Sequence, residues 1–288
     1  MKRLTVLLLA MPSPALAHGG GHSGWTLDPW ITLPLALSLL LYTLGSLRLW
    51  ARSSLGRAQL RRGALLFGSG WAILAGAVMS PLHEAGEHSF AMHMIEHELI
   101  MLPAALLLVA ARPGAAMLWA LPVRLRAGFG TAAIAGRALW RRLTDPVTAT
   151  LIQAVTMWAW HAPALFDRAL DSQAWHVAQH LSFLVSALLF WWAMTHGRAS
   201  QGSAAACLFV TSLIGGALGA LMTFSASPWY RGYAEMGLTP AGLSPVEDQQ
   251  LAGLLMWIPG GLFHAVAALY VLYLWFRASE VGHAIAAE

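Results

Sequence analysis

The chain has 288 residues, of which 58% are hydrophobic and only 10% are charged, and its formal net charge is +4. Soluble domains carry about 25% charged residues, so this composition excludes a mainly soluble protein and predicts an integral membrane protein. The single cysteine, Cys207, excludes an internal disulfide and a Cys-x-x-Cys metal or redox motif. The positive charge does not predict a nucleic-acid partner, because the basic residues fall in connections on one side of the apolar segments.

Residues 1–17 have the form of a secretory signal peptide, with a basic start, a short apolar run and a small-residue cleavage pattern. We expect cleavage after Ala17, which leaves residues 18–28 as an exported polar tail. The new N-terminus is then His18, whose free amine and ring are candidate copper ligands. An ordinary polar tail explains the same residues without a metal.

Seven apolar segments follow, and each is near the roughly 20 residues that a helix needs to cross a bilayer. They are predicted at Pro29–Trp50, Ala64–Pro81, Phe90–Ala111, Pro146–Pro163, Trp175–Met194, Ala204–Ala226 and Gln250–Phe276. A polar loop over 83–88 joins the second to the third, and a short loop joins the fourth to the fifth. We therefore predict an all-α protein whose membrane domain, 29–277, is a bundle of seven transmembrane helices.

The interval 112–145 repeats arginines among Leu, Trp and Ala, which favours an amphipathic helix lying in the cytoplasmic interface over a further span. The remaining residues, 278–288, are predicted to form a cytoplasmic tail. We find no internal repeat of the kind that indicates a transporter built from two related halves. The sequence also lacks a glycine-rich phosphate loop and a Gly-x-Ser-x-Gly motif.

Arginines concentrate in alternate connections, whereas Arg168 and Arg231 are the exceptions on the opposite side. The concentrated set is Arg48, Arg52, Arg57, Arg61, Arg62, Arg112, Arg124, Arg126, Arg137, Arg141, Arg142, Arg198 and Arg277. Positively charged connections of bacterial membrane proteins face the cytoplasm. This bias predicts a multi-pass protein of a bacterial-type plasma membrane, with the mature N-terminus outside and the C-terminus in the cytoplasm.

Histidines at the predicted outer ends of the spans carry the strongest functional signal. His93 and His97 are four residues apart, as are His176 and His180, so each pair leaves one face of a helix. Imidazole is costly to place in lipid, which makes such pairs a site hypothesis. An isolated histidine is explained by hydrogen bonding at the headgroups, but this set favours a metal site. The predicted ligands are His93, His97, His161, His176 and His180.

Methionines near these histidines fit copper, which accepts imidazole and thioether ligands. Methionines at helical spacing are also ordinary core residues, so they are predicted only as accessory ligands. Glu96 is a candidate for orienting a ligand ring, and it is equally explained by contact with outer water. The accessory candidates are Met94, Met101, Met157, Met222, Met256, Glu96 and His18. His264 lies deeper in the last span, where we expect it to bond to a neighbouring backbone group.

The last outer connection ends in Ser244-Pro245, and Glu247 completes the pattern of a capping box. That structural pattern explains Glu247 but not the residues that follow it. Asp248 and Gln249 are costly at a lipid boundary unless they are hydrogen-bonded. They are predicted to close the site from above or to meet a partner protein.

Taken together, these motifs resemble the CtaG family of cytochrome c oxidase assembly factors, in its multi-spanning form. The matching motifs are His93-x-x-x-His97 with Pro103, Trp160-His161-x-Pro163, His176-x-x-x-His180, Phe190-Trp191-Trp192 and Leu243-Ser244-Pro245 with Asp248-Gln249-Gln250. The similarity runs from about Pro29 to Arg277. It implies a role in making active oxidase, at the stage of copper insertion, with oxidase subunits in the membrane as partners. We expect a protein that is not an enzyme, with a redox role at a bound metal as the alternative.

Three other functions fit parts of the pattern. Same-face histidines on neighbouring spans are able to ligate haem or a di-iron centre. A metal permease would need polar residues that continue to the cytoplasmic side, where only His264 and a few Ser and Thr do so. A metal-independent membrane chaperone would use the histidines for hydrogen bonds alone. The copper-binding assembly factor is the favoured prediction.

Overall fold

The computed structural model describes residues 24–52, 56–197 and 200–286, with side chains to residue 279. The predicted signal peptide, His18 and Arg198 lie outside the described residues. Within those ranges all the regular secondary structure is helical, with no strand. The helices are α1 Pro29–Arg52, α2 Arg57–Met79, α3 Pro81–His88, α4 Phe90–Leu99, α5 Ala105–Ala111, α6 Gly114–Ala120, α7 Val123–Leu143, α8 Pro146–Trp160, α9 Pro163–Asp171, α10 Gln173–His196, α11 Gln201–Thr223, α12 Arg231–Met236, α13 Pro245–Leu255 and α14 Gly261–Ala286.

Six of the helical stretches in the described ranges are long and apolar enough to cross a membrane. They are Pro29–Arg52, Arg57–Met79, Phe90–Ala111, Gln173–His196, Gln201–Thr223 and Pro245–Ser279. The chain is therefore an integral membrane protein, and six of the seven predicted segments meet the criterion. The remaining segment, α8, has 15 residues. At 1.5 Å per residue it is about 22 Å long, which is less than the roughly 30 Å of a hydrocarbon core.

Three connections differ from the prediction because short stretches form helices of their own. The predicted polar loop over 83–88 is α3, whose Ser80 cap accepts a hydrogen bond from the Leu82 backbone N–H and whose first residue is Pro81. The predicted short loop after Pro163 is α9. The interval 112–145 forms two helices, α6 and α7, because Pro122 separates them.

Close backbone contacts hold the bundle together. Gly219 on α11 and Gly253 on α13 face each other, and a Cβ at Gly219 would lie 2.7 Å from the Gly253 carbonyl oxygen. Small residues allow membrane helices to approach in this way. Gly45 on α1 lies against the Ala116 carbonyl of α6 for the same reason. The largest apolar cluster fills the space between α4, α5, α8, α10, α11 and the last span.

Two spans contain a wide π-helical turn near the middle of the bundle. Ile100–Ala104 joins α4 to α5, and Met256–Gly260 joins α13 to α14. Each turn contains a proline, Pro103 or Pro259, which has no N–H for the helical ladder. In the first turn the Met101 carbonyl accepts a hydrogen bond from Trp191 Nε1 at 2.8 Å. π-helical turns occur frequently at functional sites.

Candidate metal centre

Histidines from three helices converge near one end of the bundle. The ring of His93 on α4 lies 4.3 Å from that of His97, and 5.3 and 5.8 Å from those of His176 and His180 on α10, measured between centroids. His97 lies 5.0 Å from His180. His83 on α3 joins them, 5.2 Å from His176. The structure therefore brings together four of the five histidines predicted as ligands and adds one.

The converging rings form two overlapping groups with the spacing of a metal site. One group is His83, His176 and His180, and the other is His93, His97 and His180. Within each group the ligand atoms lie within 4.8 Å of one another, and His176 Nε2 is 3.2 Å from His180 Nε2. Three nitrogen ligands about 2.0–2.1 Å from a shared ion lie about 3.6 Å apart in a trigonal arrangement. A closure of roughly 1.2 Å in the longest separation would thus bring either group onto one ion.

Several ring nitrogens of this cluster have no hydrogen-bond partner in the described part of the chain. His93 Nε2 and both ring nitrogens of His97 are buried and have no hydrogen-bond partner among the described residues. His93 is 2% exposed and His97 is 3% exposed. A buried polar group without a partner costs about 1–3 kcal/mol, so such groups in a native protein require an explanation. A bound cation that accepts imidazole explains one of these nitrogens on each ring, the one that carries the lone pair.

Glu96 is a buried carboxylate that contacts two histidines of the cluster. Its side chain is fully buried, and its Oε1 lies 2.8 Å from His83 Nδ1 and 3.6 Å from His180 Nδ1. Carboxylates in this position fix the orientation of ligand rings and raise their basicity. Burial alone would lower the pKa of His83, but the hydrogen bond and the charge of Glu96 together raise that pKa above its usual value. The rings that Glu96 contacts are thus those of His83 and His180.

His161 lies outside both groups. Its Nδ1 donates a hydrogen bond to the Met157 carbonyl at 2.7 Å, and its Nε2 lies 3.5 Å from Met94 Sδ. The Tyr230 hydroxyl donates to the His161 carbonyl at 3.1 Å. The ring therefore belongs to a separate layer, where it faces a thioether.

The methionines predicted as accessory ligands are divided between two other places. Met94 and Met222 are completely buried around His161 and Tyr230, with Met222 Sδ 4.0 Å from the Tyr230 hydroxyl. Met101, Met157 and Met256 line a separate small cavity deeper in the bundle. None of the five belongs to the two histidine groups.

Asp248 and Gln249 are each 2% exposed and fully engaged inside the protein. Asp248 accepts hydrogen bonds from Ser89 Oγ at 2.8 Å and from the backbone N–H groups of Phe90 at 2.6 Å and Ala91 at 3.3 Å. It therefore caps the helix that carries His93 and His97, and it joins that helix to the last span. Gln249 accepts from the Trp229 N–H at 2.6 Å and donates to the Ser227 carbonyl at 3.2 Å, which fixes the last outer connection.

Sequence reasoning missed two residues of the centre. His83 was placed in a polar loop, and only its position on α3 brings it to the cluster. Gln179 is completely buried, and its side-chain amide approaches the ring of His93. A glutamine in an apolar span is the signal that would have identified it.

A cleft of about 180 Å³ reaches the cluster from the side of the bundle. Its lining is mainly apolar, with Trp30, Leu35 and Leu181 among the lining residues. His83, His176 and His180 form its polar end. The histidines are thus reached between α1, α2 and α10, at the surface that faces the membrane.

The model of one protein family, described as cytochrome c oxidase caa3 assembly factor (Caa3_CtaG), matches residues 40–278. No curated protein and no solved structure matches the chain. The matched region is most of the 288 residues, and it contains every histidine of both groups. The resemblance seen in the sequence motifs is confirmed, and the chain belongs to the family of cytochrome c oxidase caa3 assembly factors.

Proposed function

We propose that this assembly factor holds a copper ion on the histidine cluster and assists its insertion into cytochrome c oxidase. The observation that carries the proposal is the convergence of His93, His97 and His180, whose ligand atoms lie within 4.8 Å of one another in a buried place. Neutral imidazole suits copper. The family supplies the connection to the oxidase. Copper is here the cargo, and the protein's own groups bind and orient it.

We infer that α8 crosses the membrane as a seventh helix. Before it, Trp140 on α7 lies 5.6 Å from Trp192, near the end of α10. After it, His161 contacts Met94, near the beginning of the span Phe90–Ala111. The helix therefore runs between the arginine-rich end of the bundle and the histidine end. The positive-inside rule then places the histidine cluster on the outer side.

The same orientation explains α7 as an interfacial helix. It has no buried residue. Its arginines, among them Arg124 and Arg137, alternate with exposed apolar residues such as Phe129 and Ile134. A helix of this composition lies on a membrane surface with its apolar side in the acyl chains. We place it in the cytoplasmic interface, next to the C-terminal tail.

The lateral cleft fits delivery to a subunit within the membrane. Its apolar lining suits a neighbouring transmembrane helix or lipid chains, and its inner end is His176 and His180. An oxidase subunit that docks on α1, α2 and α10 would meet the ion without passage through bulk water. We therefore propose the oxidase subunit that receives copper as the partner at this surface.

Copper binding by purified protein in detergent tests the proposal. We expect the wild-type chain to take Cu⁺ from a chromophoric chelator under anaerobic conditions, and the double variant His97→Ala with His180→Ala to lose the Cu⁺ that the histidine cluster binds. His88→Ala is the matched control, because His88 is exposed on α3 and lies outside both groups. Cells that carry the double variant should assemble little active oxidase, whereas the His88→Ala cells should assemble normal amounts.

Two results would overturn the proposal. One is a wild-type protein that binds no copper, and the other is a double variant that supports full oxidase activity. A Soret absorption band in the purified protein would instead indicate haem on the same histidines.

A further inference from the structure

A second polar site lies deeper in the bundle, beyond the histidine cluster. It is a cavity of about 30 Å³, lined by Glu98, Met101, Gln153, Met157, Met256 and His264. A volume of 10–15 Å³ is enough for one water-sized occupant, so the cavity has room for a single small ion or water. Both π-helical turns contribute to its wall, through Met101 in the first and Met256 and Gly260 in the second.

Three polar atoms at this cavity lack a partner. They are Glu98 Oε2, Gln153 Oε1 and His264 Nε2, each buried and without a hydrogen bond to any described residue. Gln153 is 2% exposed and His264 is 7% exposed. Carboxylate oxygen, amide oxygen and an unprotonated ring nitrogen are all acceptors. With Glu98 ionised, one water has only two protons for these three acceptors, whereas a cation attracts all three atoms.

His264 has the arrangement of a metal ligand. Its Nδ1 donates to the Gly260 carbonyl at 2.9 Å, which confirms the backbone bond expected from the sequence. With the proton on Nδ1, the lone pair of Nε2 is free at the cavity. Ligand histidines in metal sites commonly donate their other N–H to a backbone carbonyl in this way. The ring is further held by Trp191, stacked at 5.7 Å between centroids.

The second π-helical turn makes room for the carboxylate. A Cβ at Gly260 would lie 2.8 Å from Glu98 Oε2 and 3.2 Å from Glu98 Oε1. The missing side chain therefore lets the carboxylate lie directly against the last span. The hydroxyl groups on the wall donate elsewhere, Thr211 to the Cys207 carbonyl and Ser212 to the Gly261 carbonyl. They too present only lone pairs to the cavity.

From these contacts we propose that the cavity is a second, deeper metal site that takes Cu⁺. The three thioethers of Met101, Met157 and Met256 together with the imidazole of His264 form a soft ligand set, which selects Cu⁺ over hard cations. A bound cation would favour the ionised form of the buried Glu98 side chain, whose carboxylate would then supply a compensating negative charge. Met101 is one helical turn from His97, about 6 Å along the axis. The inference rests on the proposed function, because both the histidine cluster and this cavity would bind copper.

The number and strength of Cu⁺ sites in the purified full-length protein test the proposal. We expect two classes of Cu⁺ in competition with a chromophoric chelator, and X-ray absorption that shows sulfur neighbours. The triple variant Met101→Leu, Met256→Leu and His264→Gln should lose one class and the sulfur signal. Leucine in place of methionine keeps the volume of the core, so the fold should be retained. Met194→Leu is the matched control, since Met194 is equally buried on α10 but lies outside this cavity.

The outcomes separate this site from the histidine cluster. Loss of one class in the triple variant, with both classes kept in Met194→Leu, supports the deeper site. The double variant His97→Ala with His180→Ala should remove the other class and leave the sulfur signal. A wild-type protein with a single class and no sulfur neighbours would overturn the deeper site while leaving the histidine cluster intact. Two classes that persist in the triple variant would overturn it as well.

Discussion

Glu96 is fully buried inside an apolar span, and its Oε1 contacts the rings of His83 at 2.8 Å and His180 at 3.6 Å. The cost of burying a carboxylate is thus offset by a partner from α3 and another from α10. The sequence shows that Glu96 directly precedes His97. Its partners are not visible in the sequence, because they come from elements before and after it in the chain.

The charge of Glu96 should be required for tight copper binding. We expect Glu96→Gln to weaken Cu⁺ affinity about 10- to 100-fold, as is typical for residues that orient metal ligands. Glutamine keeps the size and an acceptor for His83 Nδ1, so the fold should be retained. Chelator competition measures the change, with Glu84→Gln on the exposed side of α3 as the control. An unchanged affinity would show that the carboxylate has no part in ion binding.

The methionines were predicted as accessory ligands of one site, and three of them line a cavity deeper in the bundle. Met101 is four residues after His97, which in a regular helix places both side chains on one face. The π-helical turn Ile100–Ala104 begins just before Met101, which lies one turn deeper than His97, about 6 Å along the axis. At that depth Met101 lines the deeper cavity with Met157 and Met256.

At the scale of elements, the helices that carry the histidines are held by contacts that are distant in the sequence. Asp248 at the start of the last span caps α4 through Ser89, Phe90 and Ala91, more than 150 residues earlier. This carboxylate was expected to close the site or to meet a partner. A helix N-terminus is a favourable place for a negative charge, because its N–H groups have no partners within the helix.

The close contact between α11 and α13 should be intolerant of a single methyl group. We expect Gly219→Ala to destabilise the protein by about 1–3 kcal/mol, because the added Cβ would lie 2.7 Å from the Gly253 carbonyl and 2.9 Å from the Trp257 nitrogen. Gly76→Ala on α2 is the control, since its Cβ would contact nothing within 4 Å. Unfolding in detergent, followed by tryptophan fluorescence, measures the difference. Equal stability of the two variants would contradict this account of the helix contact.

At the scale of the whole molecule, the proposed orientation predicts which positions reagents can reach from outside the cell. In a Cys207→Ala background, we expect Ala241→Cys to react with a membrane-impermeant thiol reagent in intact cells, because residue 241 lies in the last outer connection. Gly136→Cys on α7 should react only after the cells are opened. Both positions are exposed, and a side chain at Gly136 contacts nothing within 4 Å. Labelling of Gly136→Cys in intact cells would reverse the orientation and place the histidine cluster inside.

The sequence by itself determined the class of the protein and most of its spans. Hydropathy and periodicity are properties of consecutive residues, so they identify apolar helices from the local sequence alone. The spans Phe90–Ala111 and Gln173–His196 lie where the pattern predicts them, within two residues. The pairs His93 with His97 and His176 with His180 follow from helical spacing in the same way. Family membership was visible because its motifs are short and local.

Only the tertiary structure decided which of these residues meet. His83 joins the cluster and His161 lies apart from it because the packing of α3 against α4, and of α8 against α10 and α11, sets their distances. No local pattern encodes that packing. The deeper cavity depends on two π-helical turns facing each other from spans about 150 residues apart. Contacts between distant segments depend on the total fit of the helices, and one extra residue in a turn redirects every side chain beyond it.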